Sequence, residues 1–362
     1  MGVALLAMAC GGPSAEGRSS EEEAPAIEPP RVAEEEAESV SADPAPAVID
    51  EAPEPPEADD VEEVAALLAL DGERSRSIGA PTDGRLEGGV RLPDRGPGFR
   101  SNPRRPNAEA RYGTVEMVQA LVRAAGVVHE DVPGSYLVLN DLGYEAGGPI
   151  ARHGSHRAGR DVDVLFYLLD AEGQPWPSIG AFLDPEGHGV DFRDLADPDD
   201  DIDVYLDAPR TWRFVRALIE DPETGRWVQR IFVAEHIRAL LLAEAESSRA
   251  PRETRERFEA ITCQPGYPHD DHLHIRFYCT PDDMAHGCED SPPIYPWRRV
   301  ELRSLGLRPR VHRPRPDRPA SPTVSAEEAR AAAGAMDARV ERWLERREAW
   351  MRPPRTGRPY CR

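Results

Sequence analysis

Two short histidine segments far apart in the chain constrain this fold more than any other feature. The first reads His153-Gly154-Ser155-His156-Arg157-Ala158-Gly159-Arg160-Asp161-Val162-Asp163 and the second His269-Asp270-Asp271-His272-Leu273-His274-Ile275-Arg276. Half of the 10 histidines fall in these two stretches, so folding is expected to bring the stretches together. His272 and His274 alternate, and side chains on a strand repeat every second residue, so both imidazoles share one face. Gly159 allows the tight return that carries Asp163 back toward His156. Two imidazoles and a carboxylate then make a three-ligand zinc site with an open fourth position, the arrangement of a hydrolase. Asp161 and Asp270 are natural hydrogen-bond partners for imidazoles in such a site.

The elements around these segments predict an α+β domain with a small, mainly antiparallel sheet. Val115, Met117, Val118, Leu121 and Val122 form a helical apolar stripe beginning near Thr114. Buried strands are expected at 135–141 and 162–169, paired, with His153 and His156 in the loop between them. Asp184 to Asp207 reads as a long acidic loop. Asp207 then caps a helix with Pro209 in its first turn. A strand at 227–233, helices at 234–245 and 252–260, and a last strand at 272–279 follow. One further helix is expected from Ser325 to Met351.

Charge separates the tails from this domain. Residues 11–75 hold 20 acidic residues against 3 Arg, which is −17 of the net charge of −22. Such a stretch buries too little apolar surface to offset its chain entropy, so it reads as a disordered spacer. The rest is near neutral, which excludes a nucleic-acid partner as the expectation. Val3 to Ala9 is a short apolar run ending before Cys10, similar to a lipoprotein signal in which that cysteine is lipidated. The expected organisation is a signal at 1–9, a lipidated Cys10 with a disordered linker to 105, a zinc domain at 106–300, and an Arg/Pro-rich extension at 301–362. The segment 76–110 reads as an extended arm. No other run approaches the roughly 18 apolar residues of a membrane span, so membrane contact would come only through the lipid. With Cys10 set apart, four cysteines remain, and two disulfides are expected, Cys279–Cys288 and Cys263–Cys361.

The pairing of His-x-x-His-x6-Asp with His-x2-His-x-His-x-Arg resembles the penicillin-insensitive murein endopeptidase family, over roughly residues 106–300. The resemblance implies His156, Asp163 and His274 as zinc ligands, with His272 and His269 beside the reacting water. It implies cleavage of the D-alanyl to meso-diaminopimelyl cross-link of peptidoglycan; together with the lipoprotein-type signal, the expectation is a periplasmic protein anchored to the outer membrane. His272 is the expected general base or oxyanion partner, with His269 second, because imidazole titrates near neutrality. A water nucleophile leaves β-lactams nothing to acylate. Cofactor expectation is one zinc, or two if His153 binds a second with Asp184 and His188 from the following loop. A D,D-carboxypeptidase, or another peptidoglycan metallopeptidase cutting a different bond, built on the same core is the alternative reading. A non-catalytic, zinc-holding cell-wall-binding lipoprotein is the alternative from another class. Ser155 lacks the Gly-x-Ser-x-Gly elbow of a serine hydrolase. The acidic run at Asp197–Asp203 lacks the glycine and final glutamate of a calcium loop.

Overall fold

A computed structural model describes residues 56–102, 107–313, 315, 317, 321, 325–351 and 361. The expected signal segment, Cys10 and the acidic stretch up to residue 55 lie outside the described residues. Where description begins, the chain is already folded. The helix Ala58–Leu68 buries Val64 and Leu67, and it packs into the same apolar core as Val118 and Leu121.

The main sheet has seven strands in the order Thr262–Cys263, Val228–Phe232, His272–Phe277, Asp161–Leu165, Leu137–Leu139, Phe99–Ser101, Arg95–Gly96. Four of its six pairings are antiparallel; the pairs 228–232 with 262–263 and 99–101 with 137–139 are parallel. Strand Asp161–Leu165 is buried along its whole length, and its neighbour His272–Phe277 nearly so. Helix Val115–Asp131 covers the sheet with Met117, Val118, Leu121 and Val128, as its apolar stripe predicts. Helix Ala208–Glu220 starts where Asp207 accepts the Arg210 amide, with proline in its first turn. Both disulfides expected from the cysteine count are present, Cys279–Cys288 and Cys263–Cys361.

Four expectations are corrected. The segment expected as a disordered linker and arm up to residue 105 contains a hairpin, Arg76–Ala80 with Asp83–Glu87, and the last two strands of the main sheet, Phe99–Ser101 and, at its edge, Arg95–Gly96. Its apolar residues were too sparse to show a period, yet Ala80, Leu86, Leu92 and Phe99 are all buried. Polar anchors do the rest. Arg160, 1% exposed, donates to Ser77 Oγ, to the Phe277 carbonyl and to the Glu289 carbonyl. The acidic loop at 184–207 instead contains two paired strands, His188–Asp191 and Ile202–Leu206, with Val190 and Val204 buried. The strand expected at 162–169 breaks after Leu165, and Leu168–Leu169 joins the smaller sheet formed with those two strands. The single helix expected at 325–351 is two, Ala326–Ala333 and Ala338–Trp350, separated at Gly334, whose φ of 79° a helix does not allow.

The second of these helices packs Val340 and Trp343 against Phe182, Val190 and Phe192. It also delivers Arg347, which donates from two nitrogens to the fully buried Asp270 at 2.7 and 2.9 Å and to the Tyr267 hydroxyl. Trp350 Nε1 donates to the same carboxylate. Removing one partner of a buried ion pair strands the other charge, at about 3–5 kcal/mol. Arg347→Ala is therefore expected to cost roughly that much in chemical denaturation, and an Arg347→Met, Asp270→Asn double variant to recover much of it.

Glu116 supplies a pH-dependent term. It stands in the first turn of its helix, 9% exposed, and burial, with the Asp283 carboxylate adding to it, pushes its pKa from 4.5 up to about 7. A pKa raised by folding contributes stability that is complete below the unfolded value and is lost as pH rises through the folded one. Glu116→Gln should therefore raise the melting temperature by a few degrees at pH 8, and give no gain near pH 4.5.

Candidate metal centre

The register between strands Asp161–Leu165 and His272–Phe277 builds this site. His274 pairs directly with Asp163, Arg276 with Asp161 and His272 with Leu165. Cross-strand partners share a face, so the two distant motifs become one cluster lining a cleft of about 450 Å³. Gly159 has φ 69°, and a Cβ there would lie 2.7 Å from Leu86 of the hairpin. The return loop is thus closed both by its backbone conformation and by the hairpin packed on it.

Asp163 is the hub. Its Oδ1 lies 3.3 Å from His156 Nε2, 3.3 Å from His274 Nδ1 and 3.4 Å from His272 Nε2, and its Oδ2 lies 3.6 Å from His153 Nδ1. The other nitrogen of most of these rings is already committed, which sets the tautomer. His156 Nδ1 donates to the Leu142 carbonyl at 2.7 Å, and His153 Nε2 to Asp141 at 2.9 Å. His272 Nδ1 donates to Asp271 at 2.7 Å, and His269 Nδ1 to the Tyr267 carbonyl at 2.7 Å. The remaining nitrogens of His153 and His156 therefore present lone pairs to the centre. Among the described residues, His156 Nε2 and Asp163 Oδ1 are buried with no hydrogen-bond partner. His153, His156 and Asp163 each place a ligand atom within 4.8 Å of the others, a group that could hold a metal ion.

Charge is balanced tightly around this hub. Burial raises the Asp163 carboxyl, but His156 and His272 hold it well below the usual carboxylate range. Burial likewise opposes ionisation of Asp161, which Arg276 and His274 keep charged; Arg276 grips it through two nitrogens at 2.6 and 3.1 Å. Burial pushes His274 down to about 4. Burial and the neighbouring His272 and His274 push His269 down to about 3. Burial would depress His272 too, but the Asp271 and Asp163 carboxylates raise it well above the ordinary imidazole value.

The fold brings together His153, His156, Asp161, Asp163, His269, His272 and His274, all expected at the site. It does not bring Asp184 and His188 to His153. His188 bonds Asp203 at 2.9 Å and faces Asp184 at 3.6 Å, and neither residue lines the cleft. The second-metal set is thus not assembled, because the smaller sheet carries this segment away. Asp270, expected to orient an imidazole, is taken instead by Arg347 and Trp350. Alternation from His272 would have put the two together, but the strand starts only at His272, so that period does not reach residue 270. The orienting acids are Asp271 and Asp141. The first was visible as the other half of the Asp270-Asp271 pair; the second carried no signal, since its role comes from a different strand end.

A family model described as penicillin-insensitive murein endopeptidase matches residues 77–299. Proteins of that name are similar over much of the chain. One from Salmonella arizonae is 27% identical over 220 residues, covering 60% of this chain and 71% of the relative. One from Pectobacterium atrosepticum is 29% identical over 195 residues, covering 53% and 62%. One from Shigella boydii is 26% identical over 253 residues, covering 69% and 83%. The matched span begins in the hairpin that closes the Gly159 loop and runs past both histidine segments, so the residues that build the cluster are the ones the match contains: the chain belongs to the penicillin-insensitive murein endopeptidase family.

Proposed function

We propose that this protein is a zinc-dependent murein endopeptidase that hydrolyses D-alanyl to meso-diaminopimelyl cross-links. The observation that carries the reading is the buried Asp163 Oδ1, without a hydrogen-bond partner among the described residues, faced at 3.3 Å by both His156 Nε2 and His274 Nδ1. Ligand atoms of a tetrahedral zinc with bonds of about 2.0–2.1 Å stand about 3.3–3.4 Å apart, which the two distances from Asp163 to the imidazoles match, while the group whose ligand atoms all lie within 4.8 Å of one another has His153 in place of His274. His156, Asp163 and His274 would hold the ion. When bound, zinc supplies Lewis-acid polarisation of the scissile carbonyl and a lowered pKa for water.

The chain's own groups position the peptide and move protons. Asp271 accepts the His272 Nδ1 proton, so His272 Nε2 faces the cleft as the proton-transferring atom, in the way an acid-oriented imidazole acts in hydrolases. His269, also lining the cleft and held by the Tyr267 carbonyl, is the second group within reach. Neither role requires an acyl-enzyme, which accounts for insensitivity to β-lactams. Periplasmic location with Cys10 as a lipid anchor belongs to the same reading, and labelling cells with radioactive palmitate tests it: Cys10→Ala should abolish incorporation.

Purified protein incubated with cross-linked muropeptide dimers should convert them to monomers, with mass spectrometry showing a tetrapeptide ending in D-alanine and a freed diaminopimelyl amine. Chelation and His274→Ala should each reduce conversion to background. Conversion surviving both would overturn the zinc reading, and release of single D-alanine residues would make the enzyme a carboxypeptidase instead. His272→Ala should lower kcat about 10²–10⁴-fold while metal content, read by atomic emission, is unchanged. A loss of that size in His269→Ala alone would move the proton-transfer role there.

A further inference from the structure

We propose that Arg152 forms a subsite for the substrate carboxylate carried by the carbon bonded to the scissile nitrogen; the inference rests on the murein endopeptidase reading above. Arg152 lines the same cleft as His153, Asp163, His272 and His274. The side chain is half-buried, and its Nη1 is buried with no hydrogen-bond partner among the described residues. A buried N–H donor without an acceptor is costly and is ordinarily paired. The other guanidinium in the cleft shows the contrast: Arg276 is held by Asp161 and lies over the Phe232 ring.

Among the described residues, no acid lining the cleft is left over for Arg152. Asp163 faces four imidazoles, and Asp271 holds His272. The missing anion therefore comes with the ligand. Position supports this, since Arg152 immediately precedes His153 and is held at φ 70°, a left-handed backbone conformation rare for residues other than glycine. Such conformations persist where surrounding structure enforces them, commonly at ligand sites.

Substrate chemistry supplies the partner. Diaminopimelate is an amino acid at both ends, so after D-alanine acylates its second amine, the carbon bonded to that nitrogen still bears an ionised carboxylate. That anion stands within a few bonds of the reacting carbonyl. A planar guanidinium matches a carboxylate with two parallel hydrogen bonds.

The test uses the full chain, wild type and the Arg152→Gln and Arg152→Lys variants, with two muropeptide dimers that differ only in having this group as free acid or carboxamide. Amidation should lower wild-type kcat/KM about 10- to 100-fold, the weight of a charge-assisted hydrogen bond. Arg152→Gln should treat both dimers alike at the lower value, and Arg152→Lys should keep part of the preference. Calorimetry with the released diaminopimelyl monomer should show tighter binding than its carboxamide to wild type and no difference for Arg152→Gln. Equal handling of the two dimers by wild type, which needs no variant to fold, would overturn the subsite, as would a preference that survives in Arg152→Gln. A wild type that binds the free acid more tightly yet cleaves neither dimer would support the subsite and reject the endopeptidase reading.

Discussion

Everything at this site depends on one pairing register, that of strand His272–Phe277 on strand Asp161–Leu165. A slip of one residue would turn His272, His274 and Arg276 to the opposite face of the sheet. The apolar residues Leu273 and Ile275, 1% and 0% exposed, hold that register from the other side, because a slip would bring them into the charged cluster. The core and the site are thus specified by the same alternation. Each strand contributes one face to packing and the other to chemistry.

Burying two aspartates side by side is affordable only because the cluster supplies counter-charge and donors. Asp161 is held by Arg276, while Asp163 is surrounded by imidazoles whose outer nitrogens are tied to Leu142, Asp141 and Asp271. These outer partners orient the rings, which is what a metal centre needs from its surroundings. They also come from separate parts of the chain, so the site is rigid only when the whole domain is assembled.

The outlying segments take part in that assembly. The hairpin 76–87 packs Leu86 against Gly159 and is tied to the strand end by Arg160. On the other wall, the C-terminal helix Ala338–Trp350 lies beyond the span matched by the family model. Through Arg347 it grips Tyr267 and Asp270, on the loop that carries His269. Cys361 binds Cys263 at the base of that loop and itself lines the cleft. The extension is thus built into the wall of the site.

Much of this was legible in the residues. Alternation at His272 and His274, the glycine at 159 and the cysteine count led directly to a shared strand face, a tight return and two disulfides, because each is a local property of spacing or backbone freedom. The paired acids near His272 were legible only as a pair. Choosing between Asp270 and Asp271 depended on where the strand begins, which hydrogen bonding to a distant neighbour decides. The hairpin and the small sheet at 188–206 were missed for the same reason: their apolar residues are few, and burial against remote partners stabilises them, whereas the break at Gly334 is a local matter of that glycine's positive φ. The sequence by itself determined which side chains are available for chemistry and which of them share a face. Only the tertiary structure decided that Asp184 and His188 stand apart from His153, that Asp141 and Asp271 orient the imidazoles, and that Arg152 Nη1 is left without a hydrogen-bond partner among the described residues, because each depends on contacts between segments that spacing along the chain cannot encode.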